Sequence, residues 1–296
     1  MPRVVRVAVL GTGRMGSAMA LRVAGAGHQT VVWNRSADAA HAVAAAATGT
    51  VQVAADAAEA VRGSAVVLSV LADGPTTCAV LLDGEVLAAL NAGAVVCDLA
   101  TSGVAAASDL EAGITAAGAR FVDAPVSGSV PVVHAGGLLV MAGGDQAAVD
   151  AAEPVLRTFA RAVARVGPVG SGQAMKLAVN LVVHDLNAAV SEALQLAESC
   201  GISRENAYDV LCDSVVAAPF VTYKRPAFLD PATAVAMSLG LVAKDLRLIV
   251  DLAADRQVAV PVTAATGEVV EVACRAGWGD RDMAALSRFS LPADRS

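Results

Sequence analysis

The chain has 296 residues, 56% of them hydrophobic and 17% charged, with a formal net charge of −7. That is enough apolar material for two domains, and it leaves no basic stripe for nucleic acid or an anionic membrane. Five cysteines (Cys78, Cys97, Cys200, Cys212 and Cys274) are scattered without a CxxC pair, which excludes a disulfide framework and a cysteine-based zinc site and fits a reducing cytoplasm.

The first 20 residues, MPRVVRVAVLGTGRMGSAMA, have early arginines and an apolar run, as a signal peptide does. The run is only about one strand long and ends in a glycine loop, so it reads as mature structure. No stretch of about 20 residues is uninterrupted enough to span a bilayer.

Up to about residue 166, short apolar runs alternate with alanine-rich segments. The runs are VVRVAVL, QTVVWN, AVVLSVL, AGAVVCDLA, ARFVDAP, LLVMAGG and RAVARVG; Ser36–Ala47 and Ala105–Ala117 read as helices between them. Runs apolar on both faces predict a mostly parallel sheet covered by helices. Beyond VGPVGSGQ the strand signal stops. One long helix is expected from about Met175 to Cys200, then helices over Arg204–Cys212, Thr233–Leu252 and Pro261–Gly277. The fold class is therefore α/β, with a doubly wound, Rossmann-type domain over 1–166 and an all-α domain over 167–296. The long helix, about 39 Å at 1.5 Å per residue, reads as apolar around most of its circumference. Burial on several sides then calls for a homo-oligomer, dimer or tetramer, formed through the helical domain.

Gly11-Thr12-Gly13-Arg14-Met15-Gly16 follows the first strand and opens a helix. Glycines so placed allow a tight turn, close approach of backbone to a pyrophosphate, and tight helix–strand packing. The second strand ends in Asn34-Arg35-Ser36, where an NAD site would have an acid on the ribose 2′-hydroxyl. Arg35 points instead to the 2′-phosphate of NADP, unless it is only a solvated residue at a strand end. The loops after two later strands, Leu71-Ala72-Asp73-Gly74-Pro75-Thr76 and Asp98-Leu99-Ala100-Thr101, fall where ligands meet a parallel sheet, or are plain turn chemistry. Lys176 stands alone among apolar residues, with Asn180 and His184 at successive helical turns. An ammonium there is either snorkelling to solvent or kept for chemistry.

DAPVSGS (Asp123–Ser129), together with GTGRMG, GSGQAMKLAVN and AKDLRLI, resembles the β-hydroxyacid dehydrogenases over nearly the whole chain. That family lies in the 6-phosphogluconate dehydrogenase superfamily and includes 3-hydroxyisobutyrate dehydrogenase and the glyoxylate/succinic semialdehyde reductases. The Asn-Arg-Ser, the MKLAVN lysine motif and Ser129 lean toward the NADPH-dependent semialdehyde reductases. The resemblance implies that Lys176 is catalytic and that Ser127, Gly128 and Ser129 bind the substrate carboxylate. It also implies that Asn180 bonds the reacting end of the substrate, that Leu71, Ala72, Thr76 and Thr101 contact the cofactor, and that Lys244 closes over both.

The departures are Ala100 before Thr101, Val104 and Ala72 in place of usual prolines, a missing aromatic before Lys244, and His184-Asp185 where small or apolar residues are usual. His184 is either a substrate contact or a satisfied buried histidine. The expected activity is NADP-dependent hydride transfer to or from a small β-hydroxy acid or semialdehyde, in the cytoplasm, without a metal. The other readings are an imine reductase, which Lys176 counts against, and a non-catalytic NADP-binding scaffold.

Overall fold

The computed structural model describes residues 4–290. The chain divides into two compact units, Met1–Lys176 and Leu177–Ser296.

The first unit is built on the strands β1 Arg6–Leu10, β2 Gln29–Trp33, β3 Val51–Val53, β4 Val66–Ser69, β5 Val95–Asp98, β6 Arg120–Asp123, β7 Val126–Ser127, β8 Leu138–Gly144 and β9 Ala160–Gly167. They form one sheet in the order β3-β2-β1-β4-β5-β6-β8-β7, with β9 paired to β8. The run from β3 to β6 is parallel. β8 lies antiparallel to β6 and β7, and parallel to β9. The mostly parallel expectation therefore holds, with an antiparallel margin that apolar runs alone do not reveal. β1 shows why the strands read as unbroken apolar runs: Val7 and Val9 enter one core layer while Ala8 and Leu10 enter the other, so both faces exclude water.

Helices join successive parallel strands. Those expected at Ser36–Ala47 and Ala105–Ala117 run over Ala37–Ala46 and Val104–Ala116. The chain order reverses between β1 and β4, and a crevice opens at such a switch point, beyond the carboxyl ends of the strands.

The long helix runs over Ser171–Ser199, beginning four residues earlier than its apolar pattern suggests. Asp123 receives the Gly170 and Gln173 amides at 2.9 and 2.7 Å, which satisfies the start of a helix that glycines would otherwise weaken. The expectation of an apolar circumference is corrected. Gln173, Asn180, His184, Asn187 and Ser191 are all buried, and their spacing puts them along one helical face. Tertiary contacts answer several of these groups: Asn187 donates to the Met283 carbonyl at 3.0 Å, and Ser191 to that of Asn187 at 2.7 Å.

The second unit's core gathers Leu177, Leu194, Tyr208, Phe228 and Leu246. Its helices include Arg204–Asp213, Pro219–Leu229, Leu239–Asp255 and Pro261–Ala273. The helix expected over Thr233–Leu252 starts instead at Leu239, where the Ser238 hydroxyl accepts from the Leu241 amide. Residues 230–237 are irregular, Ser238 forms an antiparallel bridge with Asp282, and Asp282 accepts from the amides of Ala236 and Met237 at 2.8 and 3.3 Å. Asp282 also pairs with buried Lys224 at 2.6 Å. The helix Pro219–Leu229 was not foreseen, because its two prolines argue against it. Pro219 sits in the first turn, where it costs nothing, and Pro226 near the end. The last expected helix closes at Ala273, followed by a wider turn in which Gly277 takes φ +85°.

Candidate functional site

The glycine loop joins β1 to the helix Arg14–Gly25. Gly11 has φ +97°, its amide donates to the Trp33 carbonyl at 2.8 Å, and a Cβ there would strike the Val70 carbonyl oxygen. A Cβ on Gly16 would strike the Gly11 carbonyl oxygen. Gly13 faces open space. The helices starting at Ala57, Gly74, Gly84 and Gln146 are each capped by an aspartate, Asp56, Asp73, Asp83 and Asp145. The glycine-loop helix has Gly13 in that position, no side-chain cap and no acid in its first turn. The positive end of its dipole therefore meets no acid of its own first turn, an arrangement that suits an anion. The buried Thr12 hydroxyl oxygen has no hydrogen-bond partner among the described residues. Loop, cap and hydroxyl together fit the diphosphate of a dinucleotide.

Asn34 acts on this loop directly. Its Oδ1 accepts from the Thr12 amide at 3.0 Å and its Nδ2 donates to the Ser36 carbonyl at 3.1 Å. A carboxylate could do the first but not the second. Arg35 and Ser36 beside it are exposed, as are Arg14 and Gly13, while Met15 is half-buried. At the end of β4, Leu71 and Thr76 are half-buried and Ala72 is exposed. The Thr76 amide donates to Asp73 at 2.8 Å.

The lysine end of the long helix is fastened to strand ends of the same unit. Gln173 is fully buried. Its Oε1 accepts from the Ser102 and Gly103 amides at 3.1 and 3.2 Å, and its Nε2 donates to the Ala100 carbonyl at 2.9 Å. Asp98 Oδ2 lies 3.5 Å from the same nitrogen. One neutral side chain therefore fixes the loop that bears half-buried Thr101 to the turn preceding Lys176, itself half-buried. Close approach makes this possible: a Cβ on Gly172 would meet the Asp123 and Met141 carbonyl oxygens, each at 2.5 Å. Burial pushes the Asp123 carboxyl up to about 6, although the Gln173 and Gly170 amides pull the other way. The Cys97 thiol below is pushed up to about 12 by burial first and Asp98 second, so it is no nucleophile at neutral pH.

Ser127 ends β7, Gly128 has φ +136°, and Ser129 stands at the start of the helix Val130–His134 without capping it.

In the second unit, Asn180 Nδ2 donates to Asp245 Oδ2 at 2.7 Å, Lys244 Nζ lies 3.0 Å from Asp245 Oδ1, and His184 Nε2 lies 3.6 Å from Oδ2. Burial pushes the Asp245 carboxyl up, but His184 and Lys244 outweigh it and hold the group below the usual carboxylate range. Asp185 accepts from the Thr263 hydroxyl at 2.7 Å. Asp123, Gln173 and Asp245 were not singled out from sequence. The available signal was a polar residue amid glycines or apolar neighbours, the same signal that exposed Lys176. No group of three or more metal-ligating side chains occurs among the described residues, and none of their helices is long and apolar enough to cross a membrane.

Fold and loop define a Rossmann-type dinucleotide-binding protein. Residues 6–167 match the NAD binding domain of 6-phosphogluconate dehydrogenase, and residues 170–290 match the NAD-binding domain of NADP-dependent 3-hydroxyisobutyrate dehydrogenase. Glyoxylate/succinic semialdehyde reductase 1 of Arabidopsis thaliana is 30% identical, over 95% of this chain and 97% of that protein. Among solved structures, Mycobacterium tuberculosis 3-hydroxyisobutyrate dehydrogenase with L-serine is 30% identical with a TM-score of 0.85, covering 97% of this chain and 99% of that one. The Salmonella typhimurium 3-hydroxyisobutyrate dehydrogenase is 27% identical with a TM-score of 0.89, covering 96% and 99%. The chain belongs to the β-hydroxyacid dehydrogenase family, as an NAD(P)-dependent oxidoreductase of the hydroxyacid dehydrogenase type.

Proposed function

We propose that the protein is an NADPH-dependent reductase of small aldehyde acids, or in reverse an NADP-dependent dehydrogenase of β-hydroxy acids, with Lys176 as its general acid and base. The observation that carries this reading is the Gln173 clamp. It fixes the turn before Lys176 against the loop after β5, at the end of the sheet where a dinucleotide binds. When bound, NADPH supplies the hydride. Negative charge then grows on the substrate's carbonyl oxygen, and Lys176 hydrogen-bonds that oxygen and gives it a proton; in the oxidation direction it accepts one. The turn Ser127-Gly128-Ser129 is assigned to the substrate carboxylate. Asn180, one helical turn beyond Lys176, is assigned to the reacting end, and Lys244 to closing over it.

Gly11, Thr12, Gly13, Arg14, Met15 and Gly16 would hold the diphosphate, with Asn34 bracing the loop. Leu71, Ala72, Thr76 and Thr101 would line the cofactor. Exposed Arg35, beside Ser36 and with no carboxylate at that strand end, supports selection of the 2′-phosphate. We divide the chain functionally into a cofactor domain, 1–166, and a substrate and oligomerisation domain, 167–296. Met175, Val182, Ala189 and Leu196 recur every seven residues along the long helix and are all exposed, which supports a homodimer or homotetramer built on that face. Five free cysteines suit a cytoplasmic setting.

The test is NADPH oxidation with glyoxylate, succinic semialdehyde, methylmalonate semialdehyde, tartronate semialdehyde and one cyclic imine, by wild type and Lys176→Ala. Turnover of an aldehyde acid that collapses in the variant is expected. Turnover of the imine alone, or unimpaired activity in the variant, would overturn the reading.

A further inference from the structure

His184 is a buried titratable side chain that the chemistry above does not use. It is 1% exposed, on a helix face it shares with Asn180. Neither ring nitrogen has a partner within ordinary hydrogen-bond length among the described residues, and the Asp245 carboxylate lies 3.6 Å from Nε2. A solvent-free imidazole facing a carboxylate is stable only with its proton on the facing nitrogen, because the bare nitrogen would set a lone pair against the anion.

The Asp245 carboxylate has two oxygens. The Lys244 ammonium pairs with Oδ1 at 3.0 Å, and Asn180 donates a hydrogen bond to Oδ2 at 2.7 Å. His184 Nε2 lies 3.6 Å from Oδ2, and both side chains are buried. Because a carboxylate only accepts, the Asn180 amide must turn its NH2 toward Asp245, and its carbonyl oxygen must face elsewhere. Asn180 thereby offers an acceptor to a ligand, suited to the hydroxyl of a hydroxy acid. Without the imidazole beside it, the carboxylate could shift within its remaining contacts and carry with it both side chains that depend on Asp245.

We propose that His184 is a positioning residue: through the Asp245 carboxylate it fixes the amide of Asn180 and the ammonium of Lys244 for the substrate. This rests on the substrate roles given to those two residues above. Such a residue acts on substrate affinity more than on the proton or hydride steps.

The experiment measures KM and kcat in the oxidation direction, with NADP and the β-hydroxy acid that corresponds to the aldehyde acid turned over best in the panel, for wild type, Asn180→Ala, His184→Leu and His184→Gln. His184→Leu should raise KM about ten-fold, as loss of one charge-assisted contact does, with kcat changed less than about three-fold and NADPH affinity unchanged. His184→Gln, which restores a donor, should recover most of that loss. A raised KM in Asn180→Ala beside a normal one in His184→Leu would overturn the proposal, as would a glutamine variant no better than leucine. Unchanged KM in Asn180→Ala would overturn the substrate assignment itself, and the histidine's part with it.

If His184→Leu does not fold, the wild type still decides. The chain has four histidines, and 15N spectra assigned with His28, His41 and His134 variants report which nitrogen is protonated. A proton on Nε2 supports the proposal. A proton on Nδ1 alone contradicts it.

Discussion

Asp123 and Asp245 are both almost wholly buried, and both bind the long helix, yet their acidities move in opposite directions. Asp123 is answered by neutral backbone amides, those of Gln173 and Gly170 foremost. They compensate part of the lost hydration, and burial still pushes the group up to about 6. Asp245 meets burial as well, but Lys244 and His184 stand beside it and hold it low. The lysine end of the helix is thus built from backbone geometry and neutral amides, whereas the Asn180–His184 stretch is organised by charge. Steric changes should damage the first region, and charge changes the second.

The largest expected effect is Gly16→Ala. The new Cβ would strike the Gly11 carbonyl oxygen and lie 3.3 Å from Val70, with no flexible side chain to yield. Stability should fall by at least ~2 kcal/mol, with NADPH binding lost, by thermal melting and fluorescence titration.

Next is Asp245→Asn, which leaves Lys244 and the Asn180 amide facing a neutral group. We expect a loss of ~2 kcal/mol at pH 7 in urea unfolding, after allowing for the partial exposure of Lys244. The folded acidity of Asp245 lies on the low side, so its contribution is present above about pH 4 and disappears as pH falls further. The variant's deficit should shrink accordingly toward pH 3.

Asp123 should show the reverse sign. Its folded value near 6 lies above the unfolded one of 3.8, so its contribution is full below about pH 4 and is lost as pH rises through 6. Asp123→Asn should flatten that slope between pH 4 and 6, removing up to ~2 kcal/mol of pH-dependent change. It should also add a constant penalty for the acceptor lost. If wild type and variant have parallel pH profiles, the contrast between the two aspartates is wrong. The smallest effect on the fold is Arg35→Ala: melting unchanged, and kcat/KM for NADPH down about ten-fold with NADH untouched. Equal loss for both cofactors would remove the 2′-phosphate contact.

The same contrast explains what could be read from the chain alone. The Rossmann half was legible because β1 and the glycine loop are local: an apolar run, then GTGRMG, then a helix. Lys176 stands out in the sequence as a cation among apolar neighbours. Its supports do not. Gln173 meets partners 70 to 75 residues away, and Asp245 meets Asn180 across 65, and no local spacing records such distances. The long helix misled for a related reason. Asn180, His184 and Asn187 read as interruptions of an apolar pattern, whereas tertiary partners make theirs a buried face. Pro226 similarly hid the helix Pro219–Leu229, where a proline near the end is tolerated.

The central claim, that Lys176 protonates the carbonyl oxygen as hydride arrives, is tested most directly by single-turnover NADPH oxidation. Wild type and Lys176→Ala would each be loaded with NADPH and mixed with saturating aldehyde acid. NADPH affinity should stay within about two-fold, while the hydride step slows by about 10²–10⁴-fold, the range for loss of a general acid. A hydride step as fast in the variant as in the wild type would contradict the account.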